Sequence, residues 1–164
     1  MTALYSISPL GKDNAREIST WSYDHPYDLY DLVPNDLSGL LNPDYYYHQV
    51  LDQNEDLIGY CCFGLDARVP GGKYLINEPK VLDIGVGMRP DLTGEGRGYE
   101  FISAVLEFAR ERFNPDCFRV TVADFNKRSL RAFIRHGFNE SHHFIRELVE
   151  IPFTQLEREL EEET

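Results

Sequence analysis

The chain has 164 residues, 42% of them hydrophobic and 13% aromatic, with a formal net charge of −12 at pH 7 and a pI of about 4.7. That length suits one domain with its own core, and the composition excludes a disordered chain. The acidic balance opposes nucleic acid and anionic membranes, which are bound by basic faces; it suits a cationic substrate, and equally a plain solvated acidic surface.

The first expected element is a strand at "ALYSIS". "DNAREISTWSY" follows, with Ala15, Ile18 and Trp21 at helical spacing. "YDLYDLVPNDLSGLL" reads as a second helix interrupted by Pro34. "YYYHQVLD" and "LIGYCCFGL" read as strands joined by a turn at "QNED". Cys61 and Cys62 are neighbours in the second of these, so they point to opposite faces. With Cys117 they make an odd count without CxxC spacing, which argues against a disulfide framework or a zinc site. No metal site is expected, since His142 and His143 also lack partners at ligand spacing.

"DARVPGGKYLINEP" reads as a loop and "KVLDIGVGM" as a strand. A helix then runs from the glycines at 94–98 to about Arg112, with Phe101, Val105, Phe108 and Arg112 along one stripe. "FRVTVA" is a strand, and "NKRSLRAFIRHGF" a helix that stops at Gly137. "FIRELVEI" is a late strand. "TQLERELEEET" opens with a capping-box pattern, Thr154 to Glu157, and reads as a short helix or a solvated end. The order predicts an α/β (α+β) domain with a mixed sheet over residues 1–152, followed by an acidic tail over 153–164. No apolar run reaches membrane-spanning length and no signal peptide opens the chain, so a cytoplasmic location is expected.

Gly94, Gly96 and Gly98 raise a chemical question, because glycine weakens a helix start unless the backbone there must approach something closely. Bare N–H groups at a helix N-terminus attract anions, phosphate above all. The P-loop is excluded: no GxxxxGK[ST] occurs. The glycines run GxGxG rather than GxGxxG and follow several antiparallel-type strands, which excludes a Rossmann fingerprint.

"DIGVGMRPDLTGEGRGYEF" followed by "RVTVADFNKRSLRAFIRHGF" resembles the GNAT superfamily of acetyl-CoA-dependent N-acetyltransferases. The likeness covers roughly residues 83–138: a strand ending near Pro90, the (Gln/Arg)-x-x-Gly-x-(Gly/Ala) motif at Thr93, Gly94, Glu95, Gly96, Arg97 and Gly98, then a strand, Asn126, Ser129 and a closing Gly137–Phe138. The resemblance implies a GNAT-like fold with a central, mostly antiparallel sheet flanked by helices. It implies acetyl-CoA as the acetyl donor, its pyrophosphate on the amides of residues 94–98 and its pantetheine paired with Gly87, Met88 and Arg89 as an added strand.

By position the resemblance makes Asp83 the base or amine-orienting group; the alternative is a strand aspartate bonded to a backbone amide. Phe133 replaces the tyrosine that many members hold near the thioester sulfur. The thiolate then leaves unaided or through water, another tyrosine or a histidine serves, or the protein only binds. Asn126 and Ser129 belong to the cofactor arm, and Asn126 also suits a helix N-cap. Aromatic and acidic residues in the entry region, Trp21, Tyr23, Tyr27 and Tyr30 with Asp24, Asp28 and Asp31, suit an ammonium group; the same residues also suit a core and a solvated face. The expected activity is acetyl transfer to a primary amine of a small molecule or peptide by a monomer or homodimer. The alternatives are a ribosomal-protein-type N-terminal acetyltransferase and a non-catalytic acyl-CoA-binding module.

Overall fold

The computed structural model describes residues 4–75 and 80–161. Seven strands form one sheet: β1 (Ser6–Pro9), β2 (His48–Leu51), β3 (Leu57–Phe63), β4 (Val81–Met88), β5 (Cys117–Ala123), β6 (Asn139–Ile145) and β7 (Pro152–Glu159). Their order is β1-β2-β3-β4-β5-β7-β6. The β4–β5 pair is parallel and the others are antiparallel. Three helices complete the domain: α1 (Lys12–Ser19), α2 (Gly98–Phe113) and α3 (Lys127–Arg135).

Strand alternation sorts the sheet's residues between two faces. One face carries Cys61, Phe63, Ile84, Phe118, Val120, Val122 and Leu156, packed under Phe101, Ile102, Val105, Leu106 and Ala109 of α2 and Phe133 of α3. The 3.6-residue period of α2 puts those five residues on one stripe. Asn114 ends α2 in the left-handed region at φ 46°, its N–H on the Arg110 carbonyl. Gly137 closes α3 at φ 88°, and Phe138 N–H reaches back to the Phe133 carbonyl. The opposite face holds Tyr60 and Cys62. Here α1 buries Ala15 and Ile18 with Leu40 and Leu57, and Trp21, Tyr47 and Tyr60 pack against them. Cys61 and Cys62 therefore face opposite sides; both are buried free thiols, and burial pushes Cys62 up to about 12.

Four expectations are corrected. The second helix is absent: residues 27–41 hold one short 3₁₀ turn, Tyr27–Tyr30, and then loop. Aspartates compete there for backbone groups, Asp31 Oδ1 accepting from Tyr23 N–H at 2.9 Å and Asp36 Oδ1 from Ser38 N–H at 3.2 Å, and Pro34 bars a continuing helix. The strand expected from Tyr45 starts at His48, because Tyr46 sits at φ 51° after a 3₁₀ turn. The late strand lies earlier than "FIRELVEI": β6 ends at Ile145, and residues 146–150 turn, with Leu148 at φ 72° and Glu150 at φ 51°.

The acidic tail is neither helix nor solvated end. It is β7, inserted between β5 and β6, and it carries the domain through Glu159. Phe153, Thr154, Gln155 and Leu156 are buried, and Thr154, read as a helix cap, donates instead to Asp124 Oδ1 at 2.6 Å. Residues 162–164 and the 76–79 part of the expected loop lie outside the described residues.

Candidate active site

Strands β4 and β5 pair only from Val81↔Cys117 to Ile84↔Val120. Beyond Ile84, β4 continues against β3 and β5 against β7, so the sheet splits between them. The Asp83 carbonyl accepts from Gly64 N–H, and Arg89 N–H donates to the Ile58 carbonyl. Alternation then turns the backbone groups of residues 83, 85, 87 and 89 toward β3, and those of Val86 and Met88 toward the split. Of the three residues expected to pair with a pantetheine arm, Met88 alone faces the split; Gly87 and Arg89 do not. Arg89 also fixes the loop, bonding Asp91 Oδ1 at 2.6 Å and the Leu57 carbonyl at 3.0 Å.

The loop after β4 opens with a 3₁₀ turn at Pro90–Leu92, closed by Thr93 Oγ1 on the Pro90 carbonyl at 2.7 Å. Thr93 is thus a turn-former. Gly94 and Gly96 then take φ of 77° and 80°. Among the described residues, the N–H groups of residues 94–98 donate to nothing in the protein, and Arg97 caps α2 without a side-chain bond. Successive free amides at a helix N-terminus form a nest for an anion. Two guanidinium groups stand beside it. Arg97 is exposed within the loop, and Arg128 Nη1 lies where a Cβ on Gly94 would come within 2.6 Å. The residues present therefore fit a pyrophosphate.

Arg128 was not singled out from the sequence, although a signal existed. Lys127 and Arg128 occupy the first turn of α3 with no acidic residue there, against the helix dipole. Two cations at that end make sense beside a bound anion. The Arg128 guanidinium also lies 4.7 Å from the centroid of the Tyr27 ring.

The entry region folds as a strap across the split. Tyr23 donates its hydroxyl proton to the Met88 carbonyl at 2.6 Å, on the β4 side. Tyr30 accepts from Asn126 Nδ2 at 3.3 Å, on the β5 side. Tyr27 and Tyr30 both contact Phe125, at centroid distances of 5.4 and 6.0 Å. Burial raises the pKa of Tyr23 and of Tyr30, so both phenols hold their protons. Trp21 is the exception among the four aromatics, since it packs on Tyr60 at 6.0 Å in the smaller core. Asn126 Oδ1 caps α3 by accepting from Ser129 N–H at 3.2 Å, and among the described residues the Ser129 side chain bonds to nothing.

Two expected roles do not survive the geometry. Asp83 is 2% exposed, and both its oxygens are held: Oδ1 accepts from Arg119 Nε at 2.6 Å, Oδ2 from Arg119 Nη2 at 2.9 Å and from Arg68 Nε at 2.9 Å. The Tyr74 ring lies 4.8 Å from the Arg119 guanidinium and 5.3 Å from that of Arg68. Asp83 ties the loop at residues 65–75 to the sheet and is closed to an incoming amine. The hydrophobic run around it hid this, because the partner Arg119 lies one strand away.

Phe133 is 2% exposed and meets Phe138 edge-to-face at 5.2 Å, inside the core. It is a packing residue. His136 is committed elsewhere, stacked on Tyr99 at 4.0 Å with Nε2 2.9 Å from the Tyr99 carbonyl. A hydroxyl added at Phe133 would be buried without a partner. Phe133→Tyr is expected to destabilise the fold by about 1–3 kcal/mol, with kcat unchanged. Urea unfolding beside a rate assay checks this, and a raised kcat would show that the ring reaches the reacting sulfur.

A cleft of about 510 Å³ lies beside the strap, with Leu29, Phe125 and Ile151 as apolar lining and His25, Asp28 and Glu150 at its polar edge. His25 Nδ1 and Asp28 Oδ1 are 3.1 Å apart. Phe125 lines this cleft and also contacts Tyr30. The sequence reading missed it because its far wall is the turn between β6 and β7, which had been expected as strand. Among the described residues, no three His, Cys, Asp or Glu side chains gather to hold a metal ion, and no helix is long and apolar enough to cross a membrane.

The family model described as Acetyltransferase (GNAT) family matches residues 12–138. No curated protein matches the chain. Solved structures share the fold at low identity. One titled a putative phosphinothricin N-acetyltransferase aligns at 18% identity over 96% of this chain and 99% of its own, with a TM-score of 0.72. A GNAT-family acetyltransferase from Bacillus anthracis aligns at 14% identity over 95% of each chain, with a TM-score of 0.73. The spermidine N-acetyltransferase from Vibrio cholerae in complex with CoA and spermine aligns at 15% identity over 96% of each chain, with a TM-score of 0.66. The family match spans most of the chain, including α1, the split strands, the amide nest and α3: this protein belongs to the GNAT family of acetyltransferases.

Proposed function

We propose that the protein transfers the acetyl group of acetyl-CoA to a primary amine on a small cationic molecule. The observation that carries this reading is the run of free amides at residues 94–98 between Arg97 and Arg128. When bound, acetyl-CoA supplies an acyl carbon activated as a thioester. The nest and the two arginines hold the pyrophosphate, and the backbone of Val86 and Met88 pairs with the pantetheine arm along the split. Tyr23 must release the Met88 carbonyl as that arm enters.

The acceptor reaches the split through the cleft behind Phe125. Asp28 and Glu150 receive an ammonium group, while Leu29, Phe125 and Ile151 take an apolar stem. The attacking amine must be neutral. Asp83 is sealed, so the amine's proton leaves to water in the cleft rather than to that carboxylate. The Vibrio cholerae neighbour's complex with spermine supports a multiply charged acceptor as the first class to try.

The test is turnover of acetyl-CoA with a panel of diamines, polyamines, neutral-tailed amines and peptides with free N-termini. Diamines or polyamines are expected to be preferred. In the double variant D28N/E150Q the KM for a diamine is expected to rise about fivefold, since exposed charges contribute little each, while the KM for a neutral-tailed amine stays constant. Equal use of all the amines, or a preference for peptides, would overturn the acceptor assignment.

A further inference from the structure

We propose that Tyr30 is the proton donor to the departing thiolate, the task for which Phe133 has no group. This rests on the acetyl-CoA reading above. Asn126 sets the orientation of the Tyr30 hydroxyl. Its Oδ1 is committed to Ser129 N–H at 3.2 Å, which fixes the orientation of the side-chain amide. Nδ2 therefore faces Tyr30, 3.3 Å away, as a donor, and the Tyr30 oxygen accepts. The hydroxyl proton is not used in that contact, and no acceptor among the described residues takes it. It is free to donate at the β5 side of the split.

The neighbouring phenols are placed differently. Tyr23 gives its proton to the Met88 carbonyl. Tyr27 lies under the Arg128 guanidinium with its ring edge-on to Phe125. Tyr60 sits over Gly87, among Trp21 and Tyr47, and has no bond to Asn126, so it serves as the comparison phenol. Phe125 packs on Tyr30, and the ring belongs to the same strap that closes over the split. Burial keeps Tyr30 protonated at neutral pH, as a general acid must be.

In the step itself, the amine's lone pair forms the new bond to the acyl carbon. The carbon–sulfur bond breaks with its electron pair going to sulfur, and Tyr30 passes its proton to that sulfur. The phenolate regains a proton through water, which takes up the one shed by the acylated nitrogen. Amine and thioester become amide and thiol, with nothing left over.

The experiment compares wild type, Tyr30→Phe and Tyr60→Phe. Removing the Tyr30 hydroxyl is expected to lower kcat about tenfold, less than the usual effect of a general acid because a thiolate leaves readily. A second readout needs no turnover. The thiol of bound free coenzyme A is titrated by thiolate ultraviolet absorbance. A hydroxyl donating to sulfur stabilises the thiolate, so the bound thiol is expected to ionise at higher pH in Tyr30→Phe than in wild type, while Tyr60→Phe matches wild type. Identical titrations and equal kcat in Tyr30→Phe would overturn the proposal. So would weaker coenzyme A binding with an unmoved thiol titration, which would make Tyr30 a positioning residue, and so would the effects appearing in Tyr60→Phe instead. Failure of wild type to bind coenzyme A would instead remove the acetyl-CoA reading itself.

Discussion

Asp83→Asn is expected to cost about 3–5 kcal/mol of stability, the usual result of breaking one partner out of a buried ion pair. The carboxylate is 2% exposed and sits between Arg119, also buried, and Arg68. An amide at residue 83 offers Arg119 one oxygen acceptor and a misplaced NH₂ donor where the carboxylate offered two acceptors. The loss extends further, because the same face holds the loop at residues 65–75. Tyr74 Oη is 2.7 Å from Thr121 Oγ1, and Gln155 clasps Lys73 through N–H to Oε1 at 2.7 Å and Nε2 to carbonyl at 3.2 Å. Losing the central anion loosens the loop from β4, β5 and β7 together. For a domain of this size the melting temperature should fall by roughly 10 °C. Calorimetric melting combined with kcat per folded molecule separates the two roles that the sequence left open. A structural Asp83 gives a large melting shift and near-normal kcat at low temperature; a general base gives a normal melt and a kcat lost by orders of magnitude.

Legibility in the sequence followed the range of the interactions. α2, α3, β4 and β5 were readable because their signals are local: a 3.6-residue stripe, an N-cap at Asn126, a stop at Gly137, apolar runs of strand length. The amide nest was readable for the same reason, since glycine spacing and the helix start lie within six residues. β7 was not. Its sequence "TQLERELE" carries a helical charge pattern, and only the places it fills between β5 and β6 make it a strand; Glu157 lies opposite Arg119, with their charged groups 3.9 Å apart. Tertiary context overrode local propensity there. Asp83 failed similarly: the strand placed it correctly, but its meaning depends on Arg68 and Arg119, which are 15 and 36 residues away. The second helix, expected over residues 27–41, failed in the same way: Tyr27 and Tyr30 are held by Phe125 and Asn126, about a hundred residues away, and no local signal shows that.

Gly94→Val is expected to weaken acetyl-CoA binding about a hundredfold, equivalent to about 2.7 kcal/mol. Two effects add. At φ 77° a β-branched residue is strained, at a cost on the order of 1–3 kcal/mol. In the free protein the exposed loop escapes this by leaving the nest conformation; the ligand must restore it, so the strain appears in affinity rather than in the melting temperature. The second effect is steric. The new Cβ falls 2.6 Å from Arg128 Nη1, and the guanidinium must swing away from the place where it supports the anion. Gly96→Ala isolates the first effect: its φ is 80°, but nothing lies within 4 Å of the added carbon. It is expected to weaken binding by about tenfold, the cost of backbone strain alone. The same reasoning makes Gly94→Ala weaker than Gly96→Ala, and in an Arg128→Ala background the gap between the two should close. Titration calorimetry with acetyl-CoA measures all of these. Wild-type affinity in Gly94→Val would mean that the phosphate sits elsewhere, and that the glycines serve only the turn into α2.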